Sequence, residues 1–503
     1  MTAFRLWKHD TRTDTIDIDI DNDNDNVADR GDDGCIGRPV MDDRAIQGLR
    51  HSVQGDVSAP GDDGYDSARA VWNAMIDRHP ALVVRATGAA DVVAAVGFAR
   101  AHQMPVSIRG GGHNVAGHAV GEGAVMIDLS AMRAVRVDPD HRRAWVEGGA
   151  TWRDVDAATQ VHGLATPGGL ISETGVGGLT LSGGIGWLRS RYGLAIDNLV
   201  SADVVTADGR LIHASPDEHA DLLWALKGGG GNFGVVTTFE FALHPVGPTV
   251  MFCGPVYAVD GGSGPIRFWR DFIVDHSDRV GSLVEFSTIP ADPGYPEATW
   301  GRRVYTIAAL YAGDADEGEA LLQPLREQGE LVTDFSGQME YRAVQRLFDT
   351  VIPYGQRRSY WKSHYLAALT DDVLDLVLER NRTPPSPDTL SSIWNFGGAT
   401  AAVDTGATAF GDRSMPWMVS VDSVWRASED DAANIGWTRD FWDSLQPYSA
   451  EGRLYLNFAG HGEGNEELVR RSFGANYGRL AAIKRTYDPD NVFRFNQNIA
   501  PAV

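Results

Sequence analysis

The residues best suited to chemistry form one short run, Arg109-Gly110-Gly111-Gly112-His113-Asn114, which follows the strand-like residues 104–108. Glycine has no Cβ, so the backbone of this run can take positive φ values and approach a ligand closely. Successive free N–H groups in such a turn form a concave site for an anion such as a pyrophosphate. The histidine would then project from a loop that holds a bound group, and it could be bonded to that group. The alternative is a glycine-rich turn with a surface histidine.

A second glycine-rich run covers residues 166–187 and includes Gly168, Gly169, Gly175, Gly178, Gly184 and Gly186. Each glycine inside a helix or strand costs roughly 0.5–1 kcal/mol relative to alanine, so this density is not expected in an ordinary core element. Such backbone is tolerated where it lies against something flat or charged. A flavin ring with its pyrophosphate tail would fit that need.

The elements that position these runs alternate between helix and strand. Hydrophobic periodicity predicts strands at 82–84, 106–108, 124–129, 143–147 and 234–242, a hairpin at 200–206 and 211–213, and helices at 90–102, 151–162 and 221–227. Beyond residue 248 the glycine motifs end and aromatic residues increase, with strands predicted at 304–311 and 418–425 and helices at 316–327 and 371–380. Helices combined with mainly antiparallel strands indicate the α+β class.

Two other kinds of site are considered and set aside. Residues 229–234 read Gly-Gly-Gly-Asn-Phe-Gly and formally satisfy GxGxxG, but they follow a predicted helix and open a strand. A dinucleotide fingerprint needs the reverse order, so NAD binding by this motif is rejected. His113 and His118 could ligate a metal in principle, but no carboxylate or cysteine has the right spacing, and we expect no metal site.

The motifs taken together resemble those of the FAD-linked oxidases of the berberine bridge enzyme-like group, within the vanillyl-alcohol oxidase superfamily. The resemblance rests on the two glycine-rich runs and on four further stretches, namely 191–194 (RYGL), 197–205 (DNLVSADVV), 224–236 (WALKGGGGNFGVV) and 455–458 (YLNF). Residues 483–493 also match, so the resemblance covers the chain from about residue 45 to its end. It implies a PCMH-type FAD-binding domain of two α/β subdomains, with an inserted substrate domain of antiparallel sheet covered by helices.

By this resemblance FAD is the cofactor, and His113 matches the histidine that bonds to the flavin 8α-methyl group. Many members add a cysteine bond to flavin C6, but that position is Ile171 here, and the only cysteines are Cys35 and Cys253. We therefore expect one covalent bond, through His113, and no cysteinyl bond. The residues expected to bind FAD are Ser107, Arg109, Gly110, Gly111, Gly112, His113, Asn114, Gly117, His118, Gly168, Gly169, Thr174, Gly175, Gly178, Leu179, Gly184, Gly186, Val235, Asn496 and Asn498.

The catalytic base is where the chain departs from the family pattern. Several members use the last tyrosine of a Tyr-x-Asn-Tyr motif, and this position is Phe458, which cannot take a proton. Tyr455 and Tyr192 are the remaining tyrosine candidates for the base. If residues 455–458 form a strand, Tyr455 and Asn457 share one face and Phe458 points to the other.

The resemblance also divides the chain into segments. Residues 43–247 are expected to form the FAD-binding domain, residues 248–450 the substrate-binding domain, and residues 451–503 a segment that returns to the FAD-binding domain. Residues 1–42 form an acidic tail that includes the tract DTIDIDIDNDNDN at positions 14–26, which lacks the apolar surface needed to fold alone. The aspartate spacing in this tract hints at a calcium loop, but the glycine and glutamate of such a loop are missing.

Composition limits the partners. The formal net charge of −24 argues against nucleic acid, because phosphate binding needs basic patches. We see neither a signal-peptide pattern nor an apolar run long enough to span a membrane, so a cytoplasmic enzyme is the expectation, with no prediction of oligomeric state. We expect an FAD-dependent oxidase that transfers a hydride from an alcohol, sugar or secondary metabolite to flavin N5, with O2 as acceptor and H2O2 as product. The alternatives are a dehydrogenase with another acceptor and a flavin-binding protein without turnover.

Overall fold

The computed structural model describes residues 42–411, 413–449, 453–463 and 466–503. The predicted acidic tail, its calcium loop and Cys35 therefore lie outside the described residues, apart from Asp42. The Asp42 carboxylate accepts a hydrogen bond from the backbone N–H of Arg44 and caps the first helix. Within the described ranges, no helix has both the length and the apolar character that crossing a membrane requires.

The first sheet holds the loop of residues 110–114 at the end of one strand. Its region contains α1 (Asp43–Ser52), β1 (Asp56–Ser58), α2 (Tyr65–Arg69), β2 (Leu82–Arg85), α3 (Ala89–Ala101), β3 (Val106–Arg109) and β4 (Val125–Asp128). The strand order is β1-β2-β4-β3, with β2 and β3 parallel to β4. Val92 and Val96 of α3 pack in one core with Val84 and Val106. The predicted β-α-β start is confirmed.

The second sheet is antiparallel and carries the longer glycine-rich run beside it. This region contains β5 (Val135–Asp138), β6 (Arg143–Glu147), α4 (Trp152–Thr159), β7 (Leu164–Ala165), α5 (Val176–Leu181), α6 (Arg189–Tyr192), β8 (Leu199–Val205), β9 (Leu211–Ala214), α7 (Ala220–Leu226), β10 (Val235–Ala242) and β11 (His244–Pro245). The order is β5-β6-β10-β8-β9, and β7 pairs separately with β11. Thr151 is the N-cap residue of α4, as predicted, and the Asp154 carboxylate accepts hydrogen bonds from its backbone N–H and its hydroxyl.

The third sheet forms the largest layer and is also antiparallel. It contains β12 (Thr249–Cys253), β13 (Pro255–Ala258), α8 (Gly264–Asp275), β14 (Val280–Thr288), β15 (Arg303–Tyr311), α9 (Ala315–Leu322), β16 (Leu331–Asp334), β17 (Gly337–Glu340), α10 (Tyr341–Val344), β18 (Arg358–Leu366), α11 (Asp371–Arg380), β19 (Leu390–Asn395), β20 (Trp417–Trp425) and α12 (Asp431–Leu445). The main path runs β16-β13-β15-β14-β19-β20-β18, and β12 joins through β15 and β17. Helices α8, α11 and α12 cover one face of this sheet.

The last two helices return to the second sheet. Phe473 of α13 (Glu466–Phe473) and Leu480 of α14 (Tyr477–Tyr487) share a core with Leu222 of α7 and Phe233. The α+β class, with an antiparallel sheet covered by helices, is confirmed. The predicted domain boundaries stay a prediction.

The helix predicted for residues 316–327 is shorter than expected. It ends at Leu322 and continues as a 3-10 turn, Gln323–Arg326. Pro324 explains the change, because it has no N–H to donate and its ring clashes with the preceding helical turn.

Candidate active site

A cavity of about 340 Å³ lies between the glycine-rich loops and one face of the third sheet. The predicted residues that line it come from distant stretches of the chain: Gly110, Gly111, Gly112, His113, Asn114, His118, Gly169, Thr174, Gly175, Gly178, Leu179, Val235, Tyr455 and Asn496. The fold thus gathers most of the predicted site residues around one space.

One wall of the cavity is bare backbone. A Cβ added to Gly111 would lie 2.4 Å from the backbone nitrogen of Gly175, so the two loops meet too closely to carry side chains there. Gly112 takes a φ of +67°, in the left-handed region that glycine enters without steric cost. Gly178 and Gly231 line the cavity, and a Cβ added to either would meet no described atom within 4 Å beyond its own chain neighbours and helical turn. A flat or charged group could therefore lie directly against this wall.

His113 is held by ring contacts at the edge of this wall. Its ring stacks on Trp72 with centroids 4.8 Å apart and an interplanar angle of 24°. The Trp72 indole is itself fixed, because its Nε1–H donates to the Ile352 carbonyl at 3.2 Å. Burial lowers the pKa of His113 to about 4, so its imidazole is neutral at ordinary pH. A neutral imidazole keeps a free nitrogen lone pair, which bond formation to a cofactor requires.

Several buried polar atoms around the cavity have no hydrogen-bond partner among the residues that the structure describes. They include His118 Nε2, Trp361 Nε1, Asn496 Oδ1 and both side-chain polar atoms of Gln497. Leaving such an atom unsatisfied costs about 1–3 kcal/mol, so their concentration at one cavity indicates a polar ligand. FAD fits these residues, because it combines a flat ring, a polar ring edge and a pyrophosphate.

The GxGxxG-like loop of residues 229–234 also belongs to the cavity wall. Gly229, Gly230, Gly231 and Gly234 line it, between helix α7 and strand β10 as predicted. The C-terminal segment is tied to this loop, since Asn496 Nδ2 donates to the Gly231 carbonyl at 3.1 Å.

Arg109 and Ser107 were expected to bind the cofactor, but neither lines the cavity. The Arg109 guanidinium forms hydrogen bonds to protein acceptors on both edges. Its Nε and Nη2 donate to the Asp128 carboxylate at 3.0 and 2.7 Å, and its Nη1 donates to the Ala70 carbonyl. The Ser107 hydroxyl accepts the backbone N–H of Gly121 at 3.2 Å. These two residues hold β3 and its loop in place.

Five further predicted residues lie outside the cavity lining. Gly117 packs on Ile76, Gly184 on Ala195, and Gly186 on the Gly168 carbonyl; a Cβ on Gly168 would meet Trp152. Asn498 has a buried Oδ1 without a partner, but it does not line the cavity either. In the structure, the glycines shape the support behind the wall.

Tyr192, one of the two predicted catalytic tyrosines, is also remote from the cavity. Its ring stacks on His244 with centroids 3.9 Å apart, and its hydroxyl donates to the Pro245 carbonyl at 3.4 Å. Tyr192 therefore packs against strand β11, outside the cavity lining, where it is not placed to act as a base.

Tyr455 does line the cavity, but its surroundings differ from those predicted. The segment is a 3-10 turn, Leu456–Phe458, and not a strand, so Phe458 also lines the cavity, with its ring 4.9 Å from that of Tyr455. The Tyr455 oxygen accepts hydrogen bonds from Asn457 Nδ2 at 2.9 Å and from the Gly184 backbone N–H at 3.2 Å. Burial raises the pKa of Tyr455 to about 12. This phenol stays protonated and offers its O–H as a donor, which does not suit a base.

Sequence reasoning missed two carboxyl groups on the third sheet. Along β14, β19 and β20 the residues that line the cavity include Glu285, Ser392 and Asp422, and the alternate residues Val284 and Val421 enter the core under the helices. Glu285 pairs across the strands with Ser392. The available signal was a single acidic residue inside each otherwise uncharged strand, Val-Glu-Phe and Val-Asp-Ser.

Burial perturbs both acids. The pKa of Asp422 rises from 3.8 to about 7, mainly by desolvation, although the Ser420 hydroxyl donates to this carboxylate. The pKa of Glu285 rises well above its ordinary value through desolvation and through the nearby charge of Asp422. A carboxyl group whose pKa lies near neutrality in a cavity, as that of Asp422 does, is suited to proton transfer.

The cavity lining contains no cysteine among the described residues. Ile171, where the family resemblance places a cysteine in other members, lines the cavity, and Cys253 is buried in the core of the third sheet. Among the residues described, no three His, Cys, Asp or Glu side chains form a cluster that could hold a metal ion.

Comparison with known proteins agrees with the fold and the cavity. The family described as "FAD binding domain" matches residues 80–215, and the family described as "Berberine and berberine like" matches residues 454–500. Together the fold and the site define an FAD-linked oxidoreductase. The chain belongs to the berberine bridge enzyme-like FAD-linked oxidoreductases, because it matches relatives in this family over nearly their whole length.

Two curated relatives illustrate the similarity. The FAD-linked oxidoreductase pgmH of Aspergillus terreus is 30% identical over 498 residues, covering 92% of this chain and 97% of the relative. The (R)-6-hydroxynicotine oxidase of Paenarthrobacter nicotinovorans is 28% identical over 473 residues, covering 90% of this chain and 97% of the relative.

Solved structures show the same architecture. The crystal structure of 6-hydroxy-D-nicotine oxidase from Arthrobacter nicotinovorans superposes with a TM-score of 0.79 at 28% identity, covering 90% of this chain and 99% of the other. A chitooligosaccharide oxidase has a TM-score of 0.77 at 22% identity, covering 91% of this chain and the whole of the other; at this identity the likeness concerns the fold alone.

Proposed function

We propose that this chain is an FAD-dependent oxidase of a small organic substrate, with FAD attached through His113 and O2 as the electron acceptor. One observation carries the proposal: a single cavity has glycine backbone and His113 on one side and two carboxyl groups, the buried Asp422 and the half-buried Glu285, on the other. When bound, FAD supplies the redox chemistry by taking a hydride from a substrate carbon and passing the electrons to O2, giving H2O2. A relative named as an oxidase, (R)-6-hydroxynicotine oxidase, supports this activity.

His113 is the attachment point in this proposal. Its ring is neutral, oriented by Trp72, and free of hydrogen bonds to its nitrogens among the described residues. Ile171 cannot form a second bond, so a single covalent link is expected. The glycine wall and the unpaired atoms of His118 and Gln497 would hold the rest of the cofactor.

Asp422 is the proton acceptor in this proposal. Two coupled carboxyl groups share the charge, and the group with the lower pKa ionises first. Because Asp422 raises the pKa of Glu285, Glu285 remains protonated when Asp422 is ionised. Asp422 then takes the proton from the substrate O–H or N–H, and Glu285 and Tyr455 donate hydrogen bonds that orient the substrate.

Apolar and aromatic side chains exclude water around these acids. Phe348, Trp361, Trp394 and Phe458 line the cavity near the third sheet. Phe458 contacts Trp361 edge to face, with ring centroids 5.4 Å apart. The dry environment strengthens the interaction of Asp422 with a bound polar group.

The covalent link is tested by flavin fluorescence on a denaturing gel. The wild-type band should fluoresce, the His113→Ala band should be dark, and His118→Ala should remain fluorescent, since His118 also lines the cavity but is not the attachment point. A dark wild-type band with FAD in the supernatant would disprove the covalent bond. Folded protein that holds no flavin in either form would disprove the FAD-oxidase proposal.

The reaction is tested by stopped-flow absorbance with a turned-over substrate. Asp422→Asn should slow anaerobic flavin reduction by about 10²-fold or more, and Tyr455→Phe should slow it less. Asp156→Asn is the matched control, because Asp156 is another buried acid with a pKa raised to about 7 that does not line the cavity. Reduced enzyme that is reoxidised by a dye and not by O2 would identify a dehydrogenase. Flavin that no substrate reduces would favour a binding protein without turnover.

A further inference from the structure

The polar groups on the substrate side of the cavity are few and acidic. The apolar side chains lining it there are Leu283, Phe348, Val351, Ile352, Trp361, Leu390, Trp394 and Phe458. Only Glu285, Asp422 and Ser392 interrupt this surface along the third sheet, and the Ser392 hydroxyl already accepts a hydrogen bond from Trp394 Nε1 at 2.7 Å. A substrate with many hydroxyl groups would find few partners here.

The acids also lack a counter-cation. No lysine or arginine is among the described residues that line the cavity, and its histidines, His113 and His118, are neutral because burial lowers the pKa of each to about 4. Arg303 acts electrostatically on Glu285, but its guanidinium donates to the carbonyls of Asn381 and Thr389 at 3.0 and 2.7 Å. Among the described residues that line the cavity, no cation therefore compensates a negative charge at Asp422.

We infer that the substrate is a hydrophobic amine, bound as its ammonium form with the nitrogen at Asp422 and Glu285 and the carbon body against the aromatic walls. The inference rests on the proposed function, because it assigns the substrate class to the same cavity. A buried unpaired charge is costly, and a bound cation relieves that cost. Trp361 and Trp394 add aromatic faces, which attract cations within about 6 Å of the ring centre.

The acid pair also explains how such a substrate becomes oxidisable. An ammonium nitrogen has no lone pair to assist the loss of a hydride from the neighbouring carbon. One N–H bond breaks and an O–H bond forms at a carboxylate oxygen of Asp422, leaving the nitrogen neutral with its lone pair. Proton transfer inside the cavity thus converts the form that binds into the form that reacts.

The test compares two probes that differ in a single group, 4-phenylbutylamine and 4-phenylbutan-1-ol. Their dissociation constants are measured by titration at pH 8, using the flavin absorbance change and, in parallel, the fluorescence of the cavity tryptophans. The wild-type protein should bind the amine at least tenfold more tightly than the alcohol. Asp422→Asn and Asp422→Ser, which both remove the charge, should each lower the affinity for the amine about tenfold and leave that for the alcohol within twofold.

Asp156→Asn serves as the control and should leave both affinities unchanged. Equal binding of the two probes by wild type, or an amine preference that survives in both acid variants, would overturn the inference. Two acid variants are used so that the test stands if one does not fold. A failure of the proposed function gives a different result. If the protein holds no flavin, tryptophan fluorescence still measures whether it prefers the amine. If the protein holds flavin but prefers the alcohol, only the inferred substrate class is refuted.

Discussion

Replacing Asp422 by asparagine should stabilise the protein at alkaline pH. Asp422 is 7% exposed as a residue, and the pKa of its carboxyl group rises from 3.8 to about 7 on folding. The folded protein therefore binds this proton more tightly than the unfolded chain does. Stability falls as the pH rises from about 4 towards 7 and then levels off, because above pH 7 the ionised group must remain buried.

The size of the effect follows from the shift. About three pKa units correspond to roughly 4 kcal/mol at full ionisation, at 1.36 kcal/mol per unit. Asparagine keeps the shape and can still accept the hydrogen bond of Ser420, but it carries no charge. With an unfolding entropy of about 2.1 cal/mol/K per residue, a chain of this length gains about 4 °C in Tm from 4 kcal/mol.

Thermal unfolding followed by tryptophan fluorescence at pH 4, 6 and 8 measures this prediction. The Tm advantage of Asp422→Asn should be close to zero at pH 4 and about 4 °C at pH 8. Asp440→Asn, at an exposed position on α12, should show no such pH trend. If the variant is less stable than wild type at pH 8, or if its gain in Tm is equal at all three pH values, the ionised Asp422 carboxylate does not destabilise the folded protein as argued.

The remaining predictions concern the glycine wall and the C-terminal segment. Gly175→Ala should lower both Tm and FAD content, since its methyl group would lie 2.3 Å from the Gly111 nitrogen; unchanged values would contradict the close contact. Gly178→Ala should retain the wild-type Tm of the flavin-free protein but lose FAD affinity, and unchanged FAD affinity would exclude cofactor contact at this wall. Lys484→Met should cost about 3–5 kcal/mol in stability, because it leaves the fully buried Asp488 carboxylate without its partner. Equilibrium dialysis and thermal unfolding check all three, and a loss under 1 kcal/mol for Lys484→Met would contradict the role of the buried pair.

The sequence predicted the parts of the site that depend on local chemistry. A run of glycines limits backbone structure wherever it occurs, so the loops around His113 and Gly175 could be identified from composition and order. The roles of Arg109 and the acids could not, because they depend on pairing between distant strands. Arg109 forms its ion pair with Asp128 on the neighbouring parallel strand. Strand β19 pairs with both β14 and β20, and this pairing brings Glu285 and Asp422 to the same cavity.

The segment around Tyr455 shows a further limit of sequence reasoning. Alternation along a strand would have separated Tyr455 from Phe458, but a 3-10 turn brings both rings to the same cavity. A stretch of four residues carries too little periodicity to distinguish the two structures. The resemblance correctly identified the departure at Phe458, whereas only the folded structure gave the orientation of its neighbours.

The contact between the glycine-rich run and the third sheet affects how this cavity can change in evolution. Arg189 is completely buried, and its guanidinium donates to the backbone carbonyls of Gly186, Asn395 and Ser282. Every one of these acceptors belongs to the main chain, which side-chain substitutions do not alter. Residues on the cavity face of the sheet can therefore be substituted, and new substrates accommodated. The hydrogen bonds of Arg189 that align the sheet with the glycine wall are retained through such substitutions.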